Sequence, residues 1–477
     1  MVKRSGTRLI TTEIRVATTL HPPAGSINPS PLPFPSRPIS SSPLMDTIDL
    51  QPVKGTRDFY PEDMRVRNWL FAHWRRVAAG YGYEEYDACV LESEELYIRK
   101  AGDEITGQLY NFQDKGDRRV ALRPEMTPSL ARMVLARGAS LPLPARWFTI
   151  CQCFRYENMQ RGRKREHFQW NMDVIGLATV AAEAELIAAQ RDFLKAVGLV
   201  SDSGSGVIFK VSNRQVIQHF LEGLGITGDA FASVCVVIDK RDKIGDEATV
   251  AQLAGLGVGA DAAKKIIGLL DLRGLPAVEA AVGRDNPGFK ALAELVTLCK
   301  AAGIGDELVI DLGVIRGLSY YTGTVWEVFD ATGNLPRAIA GGGRYDKLLE
   351  VLGGAAQPMV GFGFGDVVIT EILKDRGLLP EAALKRTVDD VVYPLGAGEF
   401  ATAAAIASFL RRQGRAVIVD YSGRRFRHAI KRAEDDGAAR LLILGADEIK
   451  AGVCTVRTLG AERKEEKVAL ADLGVTA

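Results

Sequence analysis

The sequence predicts an α+β protein: an antiparallel sheet flanked by helices, a helical insertion within it, and a small α/β domain at the C-terminal end. Three observations carry this. Residues 147–156 and 167–174 both read as strands, joined by a short loop. The second alternates cleanly, with Phe168, Trp170, Met172 and Val174 on one face and Gln169, Asn171 and Asp173 on the other, as the two-residue period of a strand demands. Residues 177–300 are alanine-rich and helical in pattern. Beyond Gly377, short apolar runs at 391–392, 416–419, 441–444 and 453–456 alternate with helical stretches at about 400–413 and 424–434, which is the pattern of a compact α/β unit.

The earlier elements follow in order. Residues 61–79 predict a helix, with Pro61 in its first turn, Val66, Trp69, Leu70, Trp74 and Val77 at helical spacing, and Gly80 at its end. Residues 83–92 read as an extended edge, and 120–122 as a short strand leading into Arg123-Pro124-Glu125-Met126-Thr127-Pro128. Thr127 is suited to cap a helix with Pro128 at its first position, and Leu130, Met133 and Val134 form its buried stripe. Glu125 then stands just outside the helix, where a carboxylate can bind a cation. Within the insertion, strands are expected near 207–211 and 234–239.

The bulk numbers set limits. A chain of 477 residues exceeds one ordinary domain. Its 47% apolar and 25% charged residues are the composition of a soluble globular protein. A formal net charge of +1 means that a nucleic-acid partner would have to meet local basic patches. Six scattered cysteines without a C-x-x-C pair predict reduced thiols, and no metal site is expected from them or from the five histidines. No apolar run is long enough to predict a membrane span. Residues 1–45 carry Lys3, Arg4, Arg8, Arg15 and Arg37 against Glu13 and are rich in Ser, Thr and Pro. They resemble an organellar transit peptide, which predicts a chloroplast or mitochondrial destination, or both, with Met45 opening the globular part. A plain disordered extension fits the same composition.

The densest chemistry lies at Arg316-Gly317-Leu318-Ser319-Tyr320-Tyr321-Thr322-Gly323-Thr324, between strand-like runs at 308–315 and 325–329. A cationic fork, paired tyrosines and two glycines suit a pocket for an anion and a small polar ring. Taken alone, the segment also fits an exposed aromatic turn. Two basic patches stand out. One is the loop with Arg161, Arg163, Lys164 and Arg165; the other is 424–432, a predicted helix with Arg424, Arg425, Arg427, Lys431 and Arg432. The polar face of 167–174 borders a ligand or is simply solvated.

Together these segments resemble the histidyl branch of the class II aminoacyl-tRNA synthetases. Phe154-Arg155-Tyr156-Glu157 with its basic loop resembles motif 2 of that class. Lys54-Gly55-Thr56-Arg57-Asp58, Leu122 to Thr127, Arg316 to Thr324 and Ala340-Gly341-Gly342-Gly343-Arg344-Tyr345-Asp346 resemble the histidyl signatures. The resemblance spans roughly residues 50–477 and implies a class II catalytic domain over 46–380, with the insertion at about 200–305, and an anticodon-binding α/β domain over 381–477. The implied activity is ATP-dependent ligation of histidine to tRNA(His) through a histidyl-adenylate. Magnesium accompanies the ATP chemistry, and a homodimer is implied by motif 1.

Residue by residue, the resemblance places Arg155 on the α-phosphate, Arg163 on the far phosphates and Arg316 at the reacting phosphate from the opposite side, with Arg155 and Arg316 catalytic. It places Glu125, Thr127 and Gln169 on the backbone groups of histidine, and Asp173, Tyr320 and Tyr321 around the ring. Asp173 stands where many relatives have glutamate. tRNA contacts are expected from Arg424, Arg425, Arg427 and Lys431. Two departures stand out. Asp87 to Glu92 lacks the motif 1 proline, and Val368 falls where motif 3 ends in an arginine that stacks on adenine. Another basic or aromatic side chain is expected to cover the base instead, and Phe362 and Phe364, which flank the position, are candidates. The alternative is a catalytically silent, histidine-binding paralogue, like the regulatory subunit of ATP phosphoribosyltransferase. A pure nucleic-acid-binding module would need neither Glu125 nor the Arg316 signature.

Overall fold

Two ten-residue strands, β5 (Ala145–Phe154) and β6 (Glu166–Ile175), pair antiparallel over their whole length, with Ala145 opposite Ile175 and Phe154 opposite Glu166. The structure is a computed structural model that describes residues 48–99, 107–201, 204–314, 320–333, 335–460 and 463–475. The long pair is the spine of an eight-stranded sheet in the order β1-β5-β6-β13-β12-β11-β9-β10. Its other strands are β1 (Glu84–Glu85), β9 (Val207–Asn213), β10 (Leu308–Ile310), β11 (Thr324–Asp330), β12 (Ala340–Arg344) and β13 (Met359–Gly365). The edge pairs β1–β5 and β9–β10 are parallel and the rest antiparallel.

The alternation read in β6 decides what each face of the sheet does. Trp170, Met172 and Val174 point into the core. There they meet Trp74 of helix Pro61–Gly80 and Phe193 of helix Ala181–Ala196, with the Trp74 and Trp170 rings 5.8 Å apart. Phe362 and Phe364 have the same parity. They lie opposite Met172 and Trp170 and are fully buried, so neither can cover a ligand on the other face. That corrects the expectation for them.

The opposite face is built for polar side chains. β13 crosses β6 with Gly361 opposite Asp173 and Gly365 opposite Gln169. A Cβ at Gly361 would collide with Asp173 Oδ1, and one at Gly363 with Gln169 Nε2. Glycine at alternate positions therefore leaves room over the sheet for these two side chains.

Short β2 (Leu91–Ser93), β3 (Tyr110–Gln113) and β4 (Arg119–Leu122) form a separate sheet, so only the ends of the 83–92 edge are strand. β7 (Val200–Ser201) and β8 (Gly204–Ser205) form a small hairpin. Between β9 and β10 lie helices Arg214–Gly223, Gly228–Asp239, Arg241–Gly255, Ala260–Leu270, Leu275–Val282 and Pro287–Ala301. The strand expected near 234–239 is thus helix. Val234, Cys235, Val237 and Ile238 are buried at spacings of one, three and four, and that helical burial overrides their β-branched preference. The 308–315 run is strand only to Ile310, after which Asp311–Gly313 turns.

The last sheet has the order β15-β14-β16-β17-β18, from β14 (Val388–Pro394), β15 (Val417–Val419), β16 (Ala438–Leu444), β17 (Val453–Thr458) and β18 (Glu465–Ala469). β14 pairs parallel with both β15 and β16, and β17 and β18 follow antiparallel. Helices Phe400–Arg412 and Phe426–Asp435 pack on it. Residues 51–477 form one compact unit. No described helix is long and apolar enough to cross a membrane. The proposed transit segment, 1–45, lies outside the described residues.

Candidate active site

The polar face of β6 carries a cleft and, adjoining it, a cluster of buried polar and tyrosine side chains that we take as a second pocket. The cleft, of about 410 Å³, lies between the β5–β6 loop, the β11–β12 loop and the start of helix Asp366–Asp375. Arg155 enters it directly after β5. Its backbone N–H donates to the Arg165 carbonyl at 2.8 Å, which closes the loop, and its Nε donates to the Pro124 carbonyl at 2.9 Å. The loop folds back on itself at Gly162 (φ 76°), where the Arg163 N–H donates to the Gln160 carbonyl at 2.9 Å. Arg163 Nε lies 2.9 Å from Glu157 Oε2.

Arg165 fixes the loop from beneath. Its guanidinium stacks on Tyr156 at 3.7 Å, and its N–H donates to the Gly55 carbonyl at 2.9 Å. A Cβ on Gly55 would come within 2.7 Å of the Arg165 side chain. That close approach is the work of the Lys54–Asp58 segment. Arg57 of the same segment bridges Glu166 at 3.3 Å and Asp366 at 3.0 Å. Asp366 in turn accepts from the Phe168 N–H at 2.9 Å. Burial pushes the Asp366 carboxyl up to about 6, against the pull of Arg57.

Two residues of this cleft escaped the sequence reading. His167 has the parity of Gln169, Asn171 and Asp173 and lines the cleft. Burial, then Arg155, Arg57 and Arg163, push its imidazole down to about 3, so the ring is neutral. The β6 alternation, extended by one step, would have found it. Arg337, from the β11–β12 loop, also lines the cleft; a loop has no period to flag it.

The second pocket lies toward the other end of β6. Glu125 is buried, and the Tyr320 hydroxyl donates to its Oε2 at 3.1 Å. Thr127 bonds the same hydroxyl. Thr127 therefore does not cap the helix: helix Thr127–Arg137 is flanked by Met126, already helical at φ −92°, with no side-chain cap. Starting the helix one residue earlier turns the Thr127 hydroxyl toward the pocket. The Tyr320 and Tyr321 rings pack 4.8 Å apart, and Gly343 makes room for Tyr321, whose ring would be 2.7 Å from a Cβ there. Burial holds the Tyr320 hydroxyl well above the usual phenol range.

Asp173 closes this pocket. Tyr345 donates its hydroxyl to Asp173 Oδ1, while Oδ2 is buried and has no hydrogen-bond partner among the described residues. Burial raises the carboxyl to about 7, and the Tyr345 bond only partly offsets it. Tyr345 is a further residue that sequence reasoning quoted within a motif but gave no role. The buried pair of Arg344 Nε with Glu183 Oε1, at 2.7 Å, fixes the strand end from which it projects. Gln169 sits between the pockets. It lines the cleft, accepts a weak bond from Cys153 Sγ at 3.8 Å, and passes over Gly363. The backbone joins the pockets as well, since the carbonyl that holds Arg155 belongs to the residue before Glu125.

Arg316 lies outside the described residues. Val368 is buried in the first turn of its helix and lines the cleft wall. Arg424, Arg425, Arg427 and Lys431 are exposed as a patch. The helix begins only at Phe426, so Arg424 and Arg425 belong to the loop before it, where Tyr393 donates its hydroxyl to the Arg424 carbonyl.

A mixed sheet whose polar face joins an arginine-lined cleft to a tyrosine-walled carboxylate pocket, followed by a small α/β unit, is the arrangement of a class II aminoacyl-tRNA synthetase. A model of the histidyl-tRNA synthetase family matches residues 55–365, and one of the anticodon binding domain matches 390–474. The chain is 46% identical over 426 residues to the chloroplastic/mitochondrial histidine–tRNA ligase of Arabidopsis thaliana, covering 89% of this chain and 86% of that one. It superposes on histidyl-tRNA synthetase from a Nostoc species with a TM-score of 0.73 at 24% identity, over 90% of this chain and 99% of that one. It also superposes on an ATP phosphoribosyltransferase regulatory subunit/histidyl-tRNA synthetase from Bacillus halodurans, with a TM-score of 0.69 at 20% identity, over 85% and 100% of the two chains. At such identities the two superpositions speak for the fold alone. The family match and the ligase relative settle membership: this chain belongs to the histidyl-tRNA synthetase family.

Proposed function

We propose that the protein ligates histidine to tRNA(His) at the expense of ATP, in two steps. A carboxylate oxygen of histidine attacks the α-phosphorus of ATP, forming histidyl-adenylate and releasing pyrophosphate. A hydroxyl at the tRNA 3′ end then attacks the activated carbonyl, and AMP leaves. The observation that carries this reading is the coupling of the two pockets through Pro124: its carbonyl holds Arg155, and its neighbour Glu125 faces Tyr320.

Negative charge gathers at the reacting phosphate, and planar arginines fixed in advance are suited to receive it. Arg155 takes the α-phosphate and Arg163 the far phosphates, with Glu157 holding the Arg163 side chain. Arg316 takes the opposite side of the reacting phosphate; its place rests on its motif. Glu125 and Thr127, with Gln169, receive the ammonium and backbone of histidine. Asp173, Tyr320 and Tyr321 surround the ring. A neutral imidazole has one N–H to give and one nitrogen to receive. The open Asp173 Oδ2 suits that N–H. A pocket with this unmet acceptor disfavours apolar competitors, which would leave it unpaired.

Magnesium would enter with ATP and supply positive charge against its phosphates. No metal-holding cluster of His, Cys, Asp and Glu occurs among the described residues. The donors that fit are the phosphate oxygens, with Glu157 and Glu327 the carboxylates on the cleft wall. Residues 46–380 would form the catalytic domain and 381–477 the anticodon-binding domain, with Arg424, Arg425, Arg427 and Lys431 meeting tRNA. The chain would act as a homodimer. Residues 1–45 would direct it to an organelle, a reading supported by the chloroplastic/mitochondrial relative. A purely cytosolic signal from a reporter fused to 1–45 would overturn the targeting.

Val368 is the chief feature that favours the silent-paralogue reading. Supplying ATP, histidine and tRNA separates the two readings: charged tRNA(His) is expected, and histidine binding without adenylate would overturn the ligase.

A further inference from the structure

The cleft wall that Val368 leaves without a cation has one nearby. Arg337 comes from the β11–β12 loop, and its side chain runs beside Gly162 and Val368. A Cβ built on Gly162 would touch Arg337 Cδ at 3.3 Å and Val368 Cγ2 at 3.4 Å, so the two side chains flank one point of the wall. Arg337 donates to Gln160 Oε1 and is thereby tied to the same loop that carries Arg163. That tie leaves its positive charge uncompensated by any carboxylate bond described for it. Desolvation, then the neighbouring Arg163 charge, lower its pKa, while Glu157 acts in the opposite sense. Two guanidiniums held close together around a single carboxylate are costly without an anion, and a polyphosphate ligand relieves that cost.

We propose that Arg337 is a nucleotide-binding residue, supplying from the β11–β12 loop the cation that Val368 does not supply from the helix. The proposal deepens the ATP-dependent reading above and rests on it. Lys243, an exposed lysine of the insertion, lines the same cleft from a different element and serves as the comparison.

The test is histidine-dependent ATP–pyrophosphate exchange by the full chain. Arg337→Ala should raise the KM for ATP by about tenfold, the scale of a lost charge-assisted or cation–π contact, while the KM for histidine moves less than twofold. Placing the cation back on the helix, in Arg337→Ala combined with Val368→Arg, should recover most of the ATP affinity. A merely structural loss would not be rescued in this way. Binding of a non-hydrolysable ATP analogue should follow the same order, and the melting temperature of Arg337→Ala without nucleotide should be no lower than that of the wild type. An unchanged KM for ATP in Arg337→Ala overturns the proposal, as does a larger rise in Lys243→Ala. Absence of exchange in the wild type would instead overturn the ligase reading itself, while analogue binding would still test Arg337.

Discussion

Tyr345 donates its hydroxyl to one oxygen of Asp173, and the other oxygen of that buried carboxylate meets no hydrogen-bond partner among the described residues. The pair is half a binding site, with the tyrosine fixing the carboxylate plane and the open oxygen awaiting a donor.

The pH dependence of histidine binding follows. The Asp173 carboxyl titrates near 7 in the folded protein, above its ordinary value, chiefly through burial. A raised carboxyl pKa means that the group favours folding at low pH and that this contribution is lost as pH rises through about 7. A ring N–H donated to Oδ2 reverses the balance by stabilising the carboxylate. The rise in melting temperature on adding histidine should therefore grow from about pH 6 to about pH 8. The ligand's own imidazole titrates in the same range. Asp173→Asn isolates the protein's share: its histidine shift should be smaller and its pH profile flatter. Identical profiles would remove Asp173 from the ring site.

Gly361→Ala should impair histidine binding and lower the melting temperature measured without histidine. The added methyl collides with Asp173 Oδ1 on the pocket face and comes within 2.9 Å of the Met172 carbonyl oxygen, so the two strands must also shift apart locally. The expected loss in histidine affinity is at least tenfold, as for a displaced, buried, charged partner. Wild-type affinity would show that the carboxylate can move aside at no cost.

Arg316→Ala should slow adenylate formation by about 100-fold or more, the usual scale for removing one fixed charge contact to developing negative charge. Histidine affinity should fall less. Single-turnover formation of adenylate measures this directly, and an unimpaired rate would take Arg316 out of the catalytic group.

Reversing Arg424, Arg425 and Arg427 to glutamate should weaken tRNA binding and make its dependence on salt shallower, because each lost phosphate contact releases fewer counterions. Histidine-dependent pyrophosphate exchange needs no tRNA and should continue. Unchanged tRNA affinity would mark the patch as a solvated surface.

Much of the site was legible because β6 announces itself. Its alternation alone puts Gln169, Asn171 and Asp173 on one face. The same rule, carried to His167 and across to Phe362 and Phe364, would have added the first to the cleft and sent the other two to the core. Thr127 was placed in the site but given the wrong local job, since helix starts shift by a residue as neighbours pack. Tyr345 and Arg337 were not legible. One reaches Asp173 across a sheet, the other approaches from a loop, and neither relation leaves a spacing in the chain. The helix at Gly228–Asp239 misled because β-branched residues were judged by type and not by the spacing of their burial.

The most direct measurement is pyrophosphate exchange by the purified protein with saturating ATP and histidine, followed by charging of its own tRNA(His). Histidine-dependent exchange and acid-stable charged tRNA are the expected result. Histidine binding with neither exchange nor charging would contradict the ligase reading and leave a histidine-sensing paralogue in its place.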